Sequence, residues 1–188
     1  MIRSVAFMFV ISSALAACGG PETSQANNVQ ANLSNTASPA ATAPPSTVTA
    51  DAFSEISGEQ AKSVMHERHE GMEAIGKANK SIKRELEGSA PDLVTVRTAA
   101  TKIADLSQKA SGWFHAGTGP DVGKTGAKPE IWRNTQDFAA KLAAFQKATA
   151  AFNSTASGSD VNAIKASFGE LGQACKACHD KYRSEMHH

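Results

Sequence analysis

Cysteine is scarce in this sequence, three residues in 188, and the number is too small and too odd for disulfides to organise a domain. A charge imbalance is missing as well. From Asp51 onward there are 18 Lys and Arg against 17 Asp and Glu, the chain totals less Arg3 and Glu22. No basic block or stripe marks a nucleic-acid surface, so nucleic acid is excluded as a partner. Beyond the first residues no second apolar run is long enough to suggest a membrane span. Sustained alternation of period two is also lacking, which leaves helices as the material for a core.

The first fifty residues do not read as folded protein. Met1 to Ala17 has one positive charge at Arg3, an apolar stretch from Val5 to Ile11, and small residues before Cys18. That is a secretory signal, too short for a stable anchor. Its Leu15-Ala16-Ala17-Cys18 ending resembles a bacterial lipobox, in which cleavage leaves Cys18 as a lipidated N-terminus. Ordinary cleavage after an A-x-A-like site is the alternative. Residues 19–50 are mostly Asn, Ser, Thr, Ala, Gln and Pro, with too little apolar surface to offset the entropy of ordering them. As a flexible coil they would separate their ends by about 30 Å, enough to tether a domain to a membrane surface. Residues 51–188 are the size of one domain.

Four helical stripes fall in that domain. Met65, Met72, Ile75, Ile82 and Leu86 share one face of a first helix between Asp51 and Glu87, with Asp51 or the Ser57 to Gln60 spacing as its start and Gly88 as its stop. A second helix opens at Ser89-Ala90-Pro91-Asp92 and carries Leu93, Val96, Ala100, Ile103, Leu106 and Ala110. Glycine is then frequent from Ser111 to Lys128, which predicts a long loop. Pro129-Glu130 begins a third helix with Ile131, Thr135, Phe138, Leu142, Phe145, Thr149 and Phe152 in its stripe. After a turn from Ser154 to Asp160, the fourth carries Val161, Ile164, Phe168, Leu171, Cys175, Cys178 and Tyr182 at spacings of three and four. The predicted fold is all-α, an antiparallel four-helix bundle of up-down-up-down order.

Both remaining cysteines thus occupy core positions of the last helix, in the stretch ACKACHDKYR from Ala174 to Arg183. Three chemistries compete for Cys175, Cys178 and His179. A redox dithiol would want the pair at a helix N-terminus after a strand, where the helix dipole lowers a thiol pKa; these lie about fifteen residues into a helix. A zinc site would need further ligands, and no second cysteine pair exists, although His66 and His69 are available. C-x-x-C-H is the attachment signature of c-type haem, with two thioethers from the cysteines and iron bound by the histidine. It fits every constraint, and export fits it too.

The stretch Cys175 to Arg183 resembles the C-terminal signature of the cytochrome c′ and cytochrome c556 family, as do Gly117-Thr118-Gly119, Ala127 to Trp132, and the Arg68-x-x-x-Met72 spacing. His115 departs from the pattern, since relatives often carry proline after the aromatic residue. The resemblance implies one covalent haem c in a four-helix bundle, attached through Cys175 and Cys178, with His179 as proximal iron ligand. It implies that Met72 faces the other side of the iron, as a ligand in c556-like proteins or as a side chain crowding an open site in cytochromes c′. Arg68 matches a position that pairs with a haem propionate, and Arg183 one beside the proximal face. Homodimers formed through the first two helices are also expected from it.

Met186 follows His179 by seven residues; on a continuing helix it would sit about 10 Å along the axis and could not reach around a haem. HERHE, from His66 to Glu70, has one residue too few for a zinc-protease motif. His69 and His66 stand about 60° and 120° around the helix from Met72, which marks them as solvated or boundary residues. His115, His187 and His188 read as surface groups. The expectation is an exported, non-enzymatic carrier of electrons on the periplasmic side of a bacterial membrane, lipid-anchored at Cys18 and served by a redox partner protein. Its alternative is a five-coordinate protein that binds nitric oxide, carbon monoxide or another small gas.

Overall fold

Two aspartates decide where the second and last helices begin. Asp92 accepts from the Val94 N–H at 2.9 Å and from the Thr95 hydroxyl at 2.6 Å. Asp160 accepts from the N–H groups of Asn162 at 2.9 Å and Ala163 at 3.1 Å. Each satisfies donors that a first helical turn leaves open. The computed structural model describes residues 53–185, so the signal segment, Cys18, the linker, Met186, His187 and His188 lie outside the described residues.

The elements in order are α1 (Gly58–Glu87), α2 (Leu93–Lys109) with a 3-10 turn at Ala110–Gly112, the single turn α3 (Glu130–Arg133), α4 (Thr135–Ala156) and α5 (Val161–Tyr182). The start of α1 follows Ser57, but no side-chain cap bond forms there, so the capping-box spacing is not used. The second helix starts later than Ser89 suggests. Ala90 precedes Pro91 and is disfavoured in the helical region, which passes the cap to Asp92. Pro129 does open a helix, but Asn134, at φ −123° and ψ 50°, separates α3 from α4. That break divides a turn that serves the preceding loop, through Trp132, from the helix that serves the core.

The stripes meet as their spacing predicts. Ile82, Val96, Ile103, Phe138, Phe152, Ile164 and Leu171 are all buried. Side by side pack α1 with α2, α2 with α4, and α4 with α5. These are the neighbours of an antiparallel four-helix bundle, whose fourth side would be α1 against α5. That pair does not pack in the same way. Met72 on α1 and Phe168, Cys175 and Cys178 on α5 are only half-buried against the common core.

The core also contains polar groups that periodicity alone did not reveal. Gln146 is buried and donates to the Ser107 carbonyl at 3.0 Å, while the Ser107 and Thr149 hydroxyls meet at 2.8 Å. Each is paired, so the desolvation cost of burying it is offset. Phe145 is 9% exposed, and Phe145→Ala is expected to cost roughly 3 to 5 kcal/mol of stability. Thermal melts of the two proteins check this, and an unchanged midpoint would remove Phe145 from the core.

Candidate cofactor site

The site grows from the fixed end of α5. Backbone at Arg183 turns extended, and the chain immediately pairs with the loop ahead of α3: the Lys128 N–H donates to the Tyr182 carbonyl and the Ser184 N–H to the Gly126 carbonyl, both at 2.9 Å. The Tyr182 ring stands edge-on to Phe138 at 5.2 Å, and Phe138 in turn meets Phe114 at 4.6 Å and Phe53 at 6.1 Å. Its hydroxyl donates to Asp137 on α4 at 2.5 Å, and Lys181 donates to the same carboxylate at 3.0 Å. With the last turn held in one rotational phase, the phases of Cys178 and Cys175, four and seven residues earlier, follow.

The electrostatics of the two thiols separate the competing chemistries. Burial pushes Cys175 up from the ordinary thiol range, its own backbone hydrogen bond opposing. Burial pushes Cys178 to about 11; Lys141 on α4 opposes this, and Cys175 and Asp137 add to it. Reactive dithiols need the opposite shift, because the thiolate is the attacking species. No group of three or more Cys, His, Asp or Glu side chains able to hold a metal ion occurs among the described residues. The two thiols are half-buried, unbridged and one turn apart on one helix, the spacing of a C-x-x-C-H haem attachment site.

His179 is exposed, one turn after Cys175. Partial desolvation lowers its pKa, the positive charge of Arg183 lowers it further, and Asp180 acts against both. The ring is thereby biased to its neutral form, which is the form that binds a metal. Arg183 is itself exposed and pairs its backbone with Ala127.

Arg68 is neither an exposed helix charge nor free at its tip. It is 5% exposed. Its Nη1 donates to the Trp113 carbonyl at 2.9 Å and the Thr118 hydroxyl at 3.1 Å. Its Nη2 donates to the Thr118 carbonyl at 2.8 Å and the Thr125 hydroxyl at 3.0 Å. The guanidinium also lies 5.3 Å from the Phe114 ring centroid and 6.0 Å from that of Trp132. Burial lowers its pKa to about 10, which leaves it charged at neutral pH. Sequence spacing placed Arg68 beside Met72, but its grip on the Trp113 to Thr125 segment joins positions 45 to 57 residues away, which periodicity cannot register.

Three further residues went unrecognised in the sequence. Trp113 is buried beside Gly71 of α1, and Asp137 and Lys141 on α4 act on the end of α5. A lone glycine within a helical pattern signals close approach, so Gly71 carried the one available hint. The departure at His115 resolves simply: its ring is half-buried and lies 3.2 Å from the Ser54 hydroxyl, while its carbonyl accepts from the Trp132 indole at 2.9 Å. His66 and His69 are exposed.

A helical bundle whose last helix carries C-x-x-C-H has the attachment pattern of the c-type cytochromes. The family model described as cytochrome c′ matches residues 63–183. The cytochrome c′ of Allochromatium vinosum is 35% identical over 121 residues, covering 63% of this chain and 78% of the relative. Among solved structures, a cytochrome c′ described as having an unusual ligand-controlled dimer dissociation aligns with TM-score 0.61 and 30% identity, over 69% of this chain and 100% of that one. The nitric oxide complex of a mutant cytochrome c′ from Alcaligenes xylosoxidans aligns with TM-score 0.60 and 26% identity, over 70% of this chain and 100% of that one. The chain belongs to the cytochrome c′ family, and its cofactor is haem c, covalently bound.

Asp137 titrates below the ordinary carboxylate range because Tyr182 and then Lys181 donate to it, desolvation opposing and the charges of Lys181 and Lys141 assisting. A carboxyl depressed in the folded state contributes stability above its unfolded pKa and loses it as pH falls through the folded value. Tyr182→Phe removes the largest cause. Asp137 is then expected to titrate closer to about 3.9, and the contribution at neutral pH to shrink. Carbon-13 NMR of the carboxyl, with acid melts, measures both; an unmoved Asp137 would show that the Tyr182 bond does not set it.

Proposed function

We propose that this chain is an exported one-electron carrier in which Cys175 and Cys178 form the two haem thioethers, His179 binds iron from α5, and Met72 faces the iron from α1. The observation that carries this reading is that Met72 on α1 and both thiols on α5 lie half-buried against one core, on two helices that pack less closely than the other neighbouring pairs. When bound, haem c supplies reversible one-electron chemistry at its iron. The protein's part would be to offer two thiols on one helix face for attachment, a neutral imidazole at His179 as ligand, and the soft thioether sulfur of Met72 from α1. Histidine with methionine favours reduced iron, and a packed bundle holds the same geometry in both oxidation states.

Arg183 belongs to this reading as the charge beside His179. A propionate role for Arg68 has less support, because both of its Nη groups serve the loop. The Met1–Ala17 pattern supports export to the periplasm, and Cys18 a lipid anchor joined by residues 19–50 to the cytochrome domain, 51–188. A redox protein is then the partner, and no catalytic turnover is assigned. Pairing of two copies through α1 and α2 is supported by the dimer named for a relative, and α2 offers it the exposed Val94.

A second reading, binding of nitric oxide or a similar small gas, is favoured by the nitric oxide complex of a relative that this chain matches over its whole length. In that case Met72 crowds the iron without binding it. Absorption spectra with and without carbon monoxide separate the two. Low-spin bands indifferent to the gas are expected for the carrier, and a high-spin spectrum shifted by it would establish the gas binder. Met72→Ala should convert the first pattern to the second; a low-spin centre that survives the change would remove Met72 as ligand.

A further inference from the structure

We propose that Trp113, seated on Gly71 and held by Arg68, is a positioning residue that fixes Met72 and thereby decides whether its sulfur reaches the iron. This rests on the reading that Met72 faces the iron. The indole six-membered ring lies directly on the α1 backbone: a Cβ at Gly71 would stand 2.2 Å from Trp113 Cη2 and 2.4 Å from Cζ2, separations that real Cβ atoms essentially never show. Three residues earlier on the same helix, Arg68 Nη1 binds the Trp113 carbonyl at 2.9 Å. The same residue is thus fastened to α1 at two points, ring to backbone and carbonyl to guanidinium.

Two points of contact on one helix turn set both its rotation and its axial position relative to the Trp113 to Thr125 segment. That segment is in turn immobilised by the bonds from Arg68 to Thr118 and Thr125. Met72 directly follows Gly71, so its direction is a consequence of this seating. Metal ligands must be held to within about 0.5 Å of their productive place, a tolerance that a side-chain clash at the neighbouring residue exceeds. Gly76, in the same helix, makes the contrast. Nothing lies within 4 Å of where its Cβ would be, so its replacement by alanine alters helix propensity without touching a neighbour.

The test compares Gly71→Ala, Gly76→Ala, Trp113→Leu, Met72→Ala and the Gly71→Ala/Trp113→Leu double variant as purified haem-loaded proteins. Spin state, carbon monoxide affinity, and hydrogen exchange across Trp113 to Thr125 are the readouts. Gly71→Ala is expected to change the gas affinity at least about twofold, the lower end of coupling between contacting residues, and to speed exchange in the segment. Gly76→Ala should do neither, and Gly71→Ala should lose its effect once Trp113 is leucine. Should Gly71→Ala fail to fold, Trp113→Leu alone must still move the spin state. The proposal is overturned if Gly71→Ala matches Gly76→Ala, if its effect persists undiminished without the indole, or if Trp113→Leu leaves the spectrum intact. A spectrum moved by Met72→Ala but not by the others overturns this proposal alone, whereas one unmoved by Met72→Ala removes the reading beneath it as well.

Discussion

The rotational phase of α5 is set at its last turn, where the Tyr182 ring enters an aromatic cluster with Phe138 and the Tyr182 carbonyl is pinned by Lys128. A helix turns by about 100° per residue, so this single constraint aims every side chain upstream. Cys178 and Cys175 share the stripe of Tyr182 and face the core, while His179 falls off that stripe and is exposed. Were the last turn free to rotate by one residue, the thiols would leave the core face.

The connection from Trp113 to Lys128 gathers the other constraints. Upstream chain is latched to it by the Ile56 N–H, which donates to the Ala116 carbonyl at 3.0 Å. The latch needs glycine at 117, which has φ +81° and no room for a Cβ beside the Ile56 carbonyl. Downstream chain pairs with its far end at Gly126 and Ala127. Between them the buried Arg68 guanidinium spends its donors on carbonyls and hydroxyls, with two aromatic faces for its charge. A loop of this length, rich in glycine, would otherwise be the least ordered part of the domain. Tied to α1, α3 and the end of α5, it is instead the piece that relates the two helices bearing the site.

Sequence patterning made the bundle legible because alternation of three and four residues is nearly sufficient to specify an amphipathic helix. The stripe from Val161 to Tyr182 points inward, as does the one from Ile131 to Phe152 except at Thr135, which is exposed at the start of α4 after the break at Asn134, and the motif at Cys175 to His179 is enough to name the cofactor. What stayed hidden depended on contacts between distant residues. Beside the break at Asn134, the Trp132 indole donates to the Phe114 and His115 carbonyls, and the buried Gln146 has its partner in the Ser107 carbonyl. Nothing local predicts that Thr118 and Thr125 will meet Arg68. Met72 packs half-buried against the core, yet a methionine on a core stripe carries no sign of what its sulfur does.

The central claim is that α5 presents Cys175 and Cys178 as the two attachment points of one haem c. The direct measurement is an intact mass of the protein purified from cells able to mature c-type cytochromes and then fully unfolded, followed by mapping of the modified peptide. The account predicts one haem retained through unfolding and located on the peptide containing Cys175 to His179, with both cysteines consumed. Free thiols at Cys175 and Cys178, or a haem that separates on unfolding, would contradict it.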